Sequence, residues 1–406
     1  MDFVKSALEA GSGLLRLRPT WVPRIFTTPG GRLRLRRQDL YAFGAHRGGI
    51  CERWIASTTR AQSGPATSMN EGLSAIEHEG GSVLLSDAFQ DRGADLMGTD
   101  YYAAQGGWNV LCKLFDNVGS IPHHVHHNAE KAARVGQQPK PESYFFPAQF
   151  NAIENSFPFT WFGLEPGTTR AQIRDCLARW NEGDNGILRF TKAYRIEADT
   201  GWQVDPGILH GPGSLVTYEP QRNSDVLSMF QSLVGERLIP WDLVVKDVPP
   251  ELSHDLDYIV DLLDWDANVD PDFARRNRRD PIPAGDAAAA AELGFSERWI
   301  SHGSSDFSAK ELTVLPGRSA LVKDAAAYGA LVVQGHGALG SFPVEAASSI
   351  RFGAMTADEV FVSHAAATAG VKITNNSVVE PLVILKHFGP GHPEAALLVR
   401  SGAGQS

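Results

Sequence analysis

The chain has 406 residues, of which 43% are hydrophobic and 21% are charged, and its formal net charge at pH 7 is −10. That length exceeds the size at which one hydrophobic core usually stops growing, so we expect two or three domains. The acidic balance argues against nucleic acid or an anionic membrane as the main partner. No run of apolar residues is long enough for a membrane-spanning helix, and the N-terminus is a poor secretory signal.

The three cysteines, Cys51, Cys112 and Cys176, are too few and too scattered for a disulfide framework. We therefore expect reduced thiols and a cytoplasmic protein.

Short strand-like segments, broken by Gly, Pro, Asn and Asp, dominate the chain. The alternation of Leu and Arg in "RLRLRRQDL" (32–40) predicts one half-buried strand near the N-terminus. Such spacing of short strands is typical of an antiparallel barrel or sandwich. Further strands are predicted at 109–116, 142–149, 214–220, 329–342, 358–364 and 381–388.

Helical signals are fewer and lie between two β-rich regions. Segment 168–184 begins with Thr and places Ile173, Leu177 and Trp180 at helical spacing. Segment 253–265 also has one apolar face, and 268–293 reads as a loop with a short helix. We predict a mainly β protein with these parts: N-terminal strands and a first barrel at 1–230, a small helical and loop insertion at 231–302, a second barrel at 303–395 and a tail at 396–406.

Residues 121–127, "IPHHVHH", hold four of the 13 histidines of the chain. On a strand, His124 and His126 would project to one face, where two imidazole nitrogens can bind one ion. The alternative is an incidental cluster of histidines in a loop. Two later residues favour the metal: Glu142 in "KPES" and His210 after a Pro-Gly turn complete a mixed nitrogen and oxygen set. His123 and His127 either support the ligands by hydrogen bonds or face solvent.

The order P-x-H-x-H, then Glu, then G-(x)4-P-G-x-x-H resembles the cupin superfamily. Within the cupins the chain resembles the type I mannose-6-phosphate isomerases, through "CERWIASTT", "KPES" and "YEPQRNSD". The resemblance implies two cupin (jelly-roll) barrels and one divalent metal ion, zinc before manganese or iron, held by His124, His126, Glu142 and His210. It also implies an aldose–ketose isomerase of carbohydrate metabolism that acts on a sugar or sugar phosphate through an enediol. A homodimer is a possible assembly.

Two positions depart from that family's pattern. His124 stands where the family has Gln, and Met229 stands where it has an arginine that serves the reaction. We therefore expect poor turnover of mannose 6-phosphate, because a thioether cannot replace the bonds of an arginine to an anion. Arg222 is a candidate substitute for the missing arginine.

Lys140 and Glu219 are the candidate proton carriers. Lys140 lies two residues before Glu142 and would share its inward face on a strand; the alternative is a solvated lysine in a turn. For Glu219 the alternative is a structural salt bridge with Arg222.

Two other functions use a similar metal set: an Fe(II)-dependent cupin oxygenase, and a sugar-binding bicupin without turnover. The second β region offers only the separate histidines His336 and His364, and we predict that this barrel is metal-free.

Overall fold

The computed structural model of the protein describes residues 2–62, 64, 66–151 and 158–402. Within them, β-strands dominate and nearly all pairings between strands are antiparallel. Numbered in chain order, the strands are β1 Leu14–Arg18, β2 Thr20–Arg24, β3 Gly49–Ile55, β4 Ala75–His78, β5 Gly81–Leu84, β6 Val110–Phe115, β7 His124–Val125, β8 Glu142–Phe145, β9 Phe159–Leu164, β10 Thr191–Arg195, β11 Gly201–Val204, β12 His210–Gly211, β13 Thr217–Arg222, β14 Ser228–Met229, β15 Leu233–Val234, β16 Arg237–Leu238, β17 Ile282–Pro283, β18 Phe295–Ser301, β19 Ser308–Val314, β20 Ser319–Val322, β21 Tyr328–Gln334, β22 His336–Leu339, β23 Phe342–Glu345, β24 Glu359–Val362, β25 Val371–Asn375 and β26 Leu382–Phe388.

The helices are short and lie mostly outside the sheets. None of those in the described residues is long and apolar enough to cross a membrane. In chain order they are α1 Phe3–Ala10, α2 Leu85–Met97, α3 Thr99–Gln105, α4 Ala129–Ala133, α5 Arg170–Ala178, α6 Leu256–Val260, α7 Trp265–Asn268, α8 Phe273–Asn277, α9 Ala287–Glu292, α10 His364–Ala369 and α11 Pro393–Gly402; short 3-10 helices span Arg37–Asp39, Ala45–Arg47, Trp180–Glu182, Ile187–Arg189, Trp241–Leu243 and Pro250–Leu252.

Two sheets build the first barrel. One has the strand order β10-β9-β12-β7-β14, and the other has the order β11-β8-β13-β6-β3-β2. Helices α5 and α6 cover the outer side of the first sheet, where Ile173 and Leu177 of α5 join Val125 of β7 in one buried apolar cluster. The space between the two sheets holds the cavity described below.

The second barrel combines a sheet of order β17-β18-β19-β26-β21-β24-β1-β4-β5 with a sheet of order β20-β25-β22-β23. A large apolar core fills the space between these two sheets. The barrels pack back to back, because Cys112, Leu114 and Tyr218 of the first share a buried cluster with Leu331 and Leu385 of the second. The predicted fold class, mainly β with two cupin barrels and a small helical insertion, is confirmed.

The N-terminal strands divide between the two barrels. Strand β1 pairs with β24, and Leu14 lies opposite Val362, whereas β2 pairs with β3 at the edge of the first barrel. Strands β17 and β18, inside or beside the predicted insertion, also join the sheet of the second barrel. The division of the chain at residues 230 and 302 stays a prediction.

The strand predicted at 32–40 is wrong. Leu33 and Leu35 are buried, as the alternation indicated, but Arg34 between them has φ 65°, a left-handed conformation that interrupts an extended chain. The Arg34 guanidinium donates hydrogen bonds to the carbonyl oxygens of Val333 (2.8 Å) and Ala347 (2.9 Å) in the second barrel. These contacts with the second barrel hold the segment as a loop in which the side chains of Leu33 and Leu35 are buried.

The predicted helix at 168–184 is confirmed in part, because α5 begins after the N-cap Thr169 and ends at Ala178, and Trp180 begins a separate 3-10 helix. The helical prediction at 253–265 is confirmed in part, because α6 ends at Val260 and α7 begins at Trp265.

Candidate metal centre and active site

Three histidines meet on the inner face of the first barrel. Strand β7 lies between β12 and β14, and its register places His124 directly opposite His210 on one side and opposite Met229 on the other. His126 follows β7 and points to the same face, as the strand period requires. The ring centroids lie 4.2 Å apart for His124 and His210, and 5.0 Å apart for each of the other two pairs. One ligand nitrogen from each of the three histidines lies within 4.8 Å of the other two.

A Pro-Gly turn and an insertion helix position His210. Gly207 in that turn has φ 91°, a conformation that favours glycine, and its N–H donates to the carbonyl oxygen of His126 at 2.8 Å. The side chain of Asn268 in α7 donates to the Gly207 carbonyl (2.7 Å) and accepts from the Leu209 N–H (2.8 Å). The helical insertion thus fixes the loop that carries the third histidine.

Backbone carbonyls fix which nitrogen of each ring carries the proton. Nδ1 of His124 lies 2.8 Å from the Pro122 oxygen, Nδ1 of His126 lies 2.7 Å from the Val226 oxygen, and Nδ1 of His210 lies 2.8 Å from the Ile208 oxygen. A carbonyl oxygen only accepts, so each Nδ1 is the donor, and Nε2 is the nitrogen of each ring that is left for a metal ion. Such support by a second hydrogen bond is typical of histidines that bind metals.

Glu142 faces the histidines from the opposite sheet. Its carboxylate is buried, with Oε1 2.9 Å from Nε2 of His126 and Oε2 3.5 Å from Nε2 of His210. Oε1 also lies 3.1 Å from Nζ of Lys140, and Oε2 accepts a hydrogen bond from the Tyr144 hydroxyl at 3.1 Å. Burial alone would raise the pKa of Glu142, but neighbouring groups, among them the ammonium of Lys140, outweigh it and hold that pKa well below its usual range.

The contacts of Glu142 test whether these residues fit a metal ion. Burial lowers the pKa of His126 to about 3 against the opposing effect of Glu142, so this ring is neutral and its Nε2 is an acceptor. The Nε2 atoms of His126 and His210 are buried and have no hydrogen-bond partner among the described residues. Two acceptors at 2.9 Å repel one another unless a cation lies between them. Ligands about 2.1 Å from one metal lie roughly 3 to 3.4 Å apart, and the contacts of Glu142 with His126 (2.9 Å) and His210 (3.5 Å) lie within about 0.1 Å of that range.

A row of polar side chains extends from Glu142 across the same sheet. Gln221 lies opposite Glu142, and Glu219 lies opposite Lys113. With its amide nitrogen toward both carboxylates, Gln221 donates to Oε1 of Glu142 at 2.9 Å and to Oε1 of Glu219 at 2.6 Å. Lys113 Nζ lies 3.0 Å from Glu219 Oε1. Burial and the neighbouring Glu142 raise the pKa of Glu219 to about 8, against the opposing effect of Lys113.

These residues line a cavity of about 310 Å³, a volume that suits a small molecule. His124, His126 and Glu142 line it together with Lys140 and Glu219. Lys140 precedes β8 and is buried against Glu142 rather than solvated in a turn. Glu219 is paired with Lys113 rather than with Arg222.

The structure does not bring Arg222 into this cavity. On β13, Arg222 is three residues from Glu219, and an odd spacing places the two side chains on opposite faces of the sheet. Its guanidinium Nη1 lies 2.5 Å from Oδ1 of Asp306, close to the second barrel. Arg222 therefore does not place a guanidinium in the cavity that Met229 lines.

His123 and His127 point away from the metal candidates and are buried. Nδ1 of His123 lies 2.8 Å from Oε1 of Gln231, and Nε2 of His127 lies 2.9 Å from the Ser228 hydroxyl. Neither faces solvent.

Several lining residues were missed in the sequence. Lys113 is a single charge within the apolar strand "NVLCKLFD", and its two-residue spacing from Phe115 would have placed both on the inner face. Arg24 and Lys246 gave no comparable signal, because they come from distant segments that only the fold brings together.

Comparison with protein-family models and with curated protein sequences finds no match. Solved structures do match over 93% of this chain. The mannose 6-phosphate isomerase of Bacillus subtilis has a TM-score of 0.62 at 14% identity, with 99% of that chain covered. The chain has the fold of the mannose-6-phosphate isomerases. A putative mannosephosphate isomerase from Archaeoglobus fulgidus has a TM-score of 0.60 at 13% identity, with 98% of that chain covered. A mannose 6-phosphate isomerase bound with zinc and yttrium has a TM-score of 0.60 at 12% identity, with 100% of that chain covered.

Proposed function

We propose that this protein is a metal-dependent aldose–ketose isomerase that acts on a sugar, with His124, His126, Glu142 and His210 as ligands of one divalent metal ion. One observation carries the proposal. The Nε2 atoms of two buried histidines, His126 and His210, converge on the buried carboxylate of Glu142 at distances that suit a shared cation. The fold, shared with mannose-6-phosphate isomerases, supports a sugar as the substrate.

Zinc is the preferred ion, because three imidazoles and a carboxylate suit it and a structure of the same fold holds zinc. When bound, such an ion acts as a Lewis acid that polarises a carbonyl group and stabilises negative charge on its oxygen.

The residues beside the ligands suit the proton transfers of isomerisation. The C2 proton of an aldose passes to a carboxylate while the carbonyl oxygen O1 gains a proton, which leaves an enediol. Return of a proton to C1 and loss of the O2 proton give the ketose. We assign the carbon-bound proton to Glu219, because it lines the cavity and the ammonium of Lys113 beside it favours its carboxylate form.

Lys113 and Lys140 have supporting roles in this scheme. Lys113 is paired with Glu219 at 3.0 Å and orients its carboxylate. Lys140 is paired with Glu142 at 3.1 Å and lines the same cavity, where an ammonium group can hold a substrate oxygen.

The rival function is an Fe(II)-dependent oxygenase, which also uses three histidines and a glutamate. The row of proton-donating and proton-accepting side chains from Glu142 to Lys113 favours the isomerase. Oxygen chemistry at the metal has no need of such a row.

The test is isomerisation under an oxygen-free atmosphere. The full chain is stripped with a chelator, reloaded with Zn²⁺, Mn²⁺ or Fe²⁺, and incubated with aldoses and ketoses, free and phosphorylated. We expect metal-restored interconversion of an aldose and its ketose, followed by NMR, at the same rate with and without O2. Substrate-dependent uptake of O2 without isomerisation would favour the oxygenase instead. A protein that binds sugars but turns over none would favour the sugar-binding bicupin without turnover.

A further inference from the structure

Each cation that lines the cavity is already paired with a carboxylate of the same chain. The closest contacts are 2.7 Å for Arg24 with Glu52, 3.0 Å for Lys113 with Glu219 and 3.1 Å for Lys140 with Glu142. Lys246 has two carboxylates, at 3.5 Å from Asp225 and 3.4 Å from Asp247. Among the described lining residues, carboxylates outnumber these four basic side chains, because Asp242 also lines the cavity.

Glu52 and Asp225, the partners of Arg24 and Lys246, are ionised. Burial raises the pKa of Glu52, but Arg24 and Lys113 outweigh it and the net pKa lies below its usual range. Burial likewise raises the pKa of Asp225, but Lys246 and Arg24 outweigh it and lower that pKa to about 2. Both carboxylates are therefore ionised at neutral pH and neutralise Arg24 and Lys246.

The rest of the described wall is largely apolar. Met229, which lies beside His124 in the sheet, is buried and offers a thioether to the cavity. Other apolar side chains on the wall are those of Ile25, Phe26, Phe115, Ile121, Leu227 and Leu243. An apolar wall of this kind suits the C–H faces of a sugar ring rather than an anion.

We infer that the substrate is a neutral, unphosphorylated sugar, and this inference rests on the proposed isomerase function. A phosphate or sulfonate at the end of the sugar would have to separate Arg24 from Glu52, or Lys246 from its two aspartates. Either separation removes the closest cation from a buried carboxylate, which costs more than the new contact returns. A neutral sugar can form hydrogen bonds with these ion pairs without separating them.

The test compares sugars that differ only at C6. The metal-loaded full chain is assayed with mannose and mannose 6-phosphate, and with glucose and glucose 6-phosphate. We expect kcat/KM to be at least tenfold higher for a neutral sugar than for its phosphorylated form. A tenfold preference for a phosphorylated sugar would overturn the inference, and so would equal values.

A pair of variants tests the physical cause. Glu52→Gln keeps the shape of the side chain and an oxygen that can accept from Trp54 Nε1, but removes the charge that neutralises Arg24. We expect this variant to gain at least tenfold in the ratio of phosphorylated to neutral kcat/KM. Glu71→Gln is the matched control, because Glu71 is a buried partner of Arg47 at 2.9 Å outside the cavity. An unchanged ratio in Glu52→Gln, or an equal gain in both variants, would contradict the proposed cause.

Binding separates the failure of this inference from the failure of the isomerase proposal. Calorimetry is run on the metal-loaded protein with fructose, fructose 6-phosphate and inorganic phosphate. If no sugar is turned over but fructose binds at least tenfold more tightly than fructose 6-phosphate, the isomerase proposal fails and the preference for a neutral sugar stands. Tighter binding of the phosphorylated sugar or of phosphate, or no binding of fructose, overturns the preference.

Discussion

Glu142 joins the two halves of the candidate site at the level of single residues. It contacts His126 and His210 of the facing sheet, the ammonium of Lys140, and Gln221 on the neighbouring strand. The amide of Gln221 connects Glu142 to Glu219 by hydrogen bonds, and Glu219 lies two residues before Gln221 on β13. The candidate site is therefore a continuous polar network that runs from the proposed metal ligands to Glu219 and Lys113.

The proposed role of Glu219 is tested by Glu219→Gln, which removes the carboxylate and retains its shape. We expect isomerisation and the exchange of the substrate C2 proton to slow by roughly 10²- to 10⁴-fold, because a positioned base contributes about that much. Metal content measured on the same samples should not change. Glu311→Gln is the matched control, since Glu311 is a buried glutamate paired with Arg298 at 2.6 Å outside the cavity.

Lys140→Met tests the second candidate. Removal of the ammonium should slow turnover and raise KM, while metal is retained because the four proposed ligands remain. If Lys140→Met and Glu219→Gln both keep near-normal rates of C2 proton exchange in deuterated water, neither residue carries the proton.

At the level of elements, helix α5 covers the sheet that carries the histidines. Its N-terminus forms a capping box, in which the Thr169 side chain accepts from the Gln172 N–H and the Gln172 side chain accepts from the Thr169 N–H at 2.8 Å. We expect Thr169→Ala to lower the free energy of unfolding by about 1 kcal/mol, because it leaves a backbone N–H of the first turn without a partner.

Urea unfolding measures this effect. Thr168→Ala is the control, since the Thr168 hydroxyl donates to the Glu165 carbonyl and takes no part in the capping box. Equal stability of the two variants would contradict the assigned role of the cap.

Local pattern predicted some elements and failed at others for a physical reason. The spacing in "IPHHVHH" correctly separated His124 and His126 from His123 and His127, because strand alternation is a local rule. The same rule failed at 32–40, where contacts of Arg34 with the second barrel replace the hydrogen bonds of a strand. At Arg222 the rule places the side chain on the face of β13 opposite to that of Glu219, because the two residues are three positions apart.

At the level of the whole molecule, the two barrels share one buried interface in which His387 of β26 lies near Tyr218 of β13. Nδ1 of His387 lies 3.3 Å from the Tyr218 hydroxyl. No local pattern predicts such an interface, since β1 near the N-terminus pairs with β24 from the other end of the chain, with Leu14 opposite Val362. The order of motifs indicated the two barrels, but the assignment of the N-terminal strands required the fold.

His387 should make the protein sensitive to acid. Burial lowers the pKa of His387 to about 3, against about 6.5 in the unfolded chain. Between these values the unfolded state binds one more proton, so the free energy of unfolding falls by about 1.4 kcal/mol for each pH unit of acidification below 6.5. We expect His387→Asn to remove this contribution and to flatten the dependence of stability on pH.

Urea unfolding of the metal-free protein between pH 6.5 and 4.5 measures that slope. His254→Asn, at an exposed position, is the control and should leave the slope unchanged. A slope that stays the same in His387→Asn would show that this histidine does not contribute.

The metal content of histidine variants tests the central claim most directly. His126→Ala and His127→Ala remove neighbouring buried histidines of one segment, but only His126 faces Glu142, whereas His127 is bonded to Ser228. After loading with Zn²⁺ and dialysis, we expect about one metal ion per chain by mass spectrometry for the unaltered protein and for His127→Ala, because the ligands remain. His126→Ala and His210→Ala should each lose most of the ion. Full occupancy in both of these variants would contradict the metal centre, and with it the proposed isomerase.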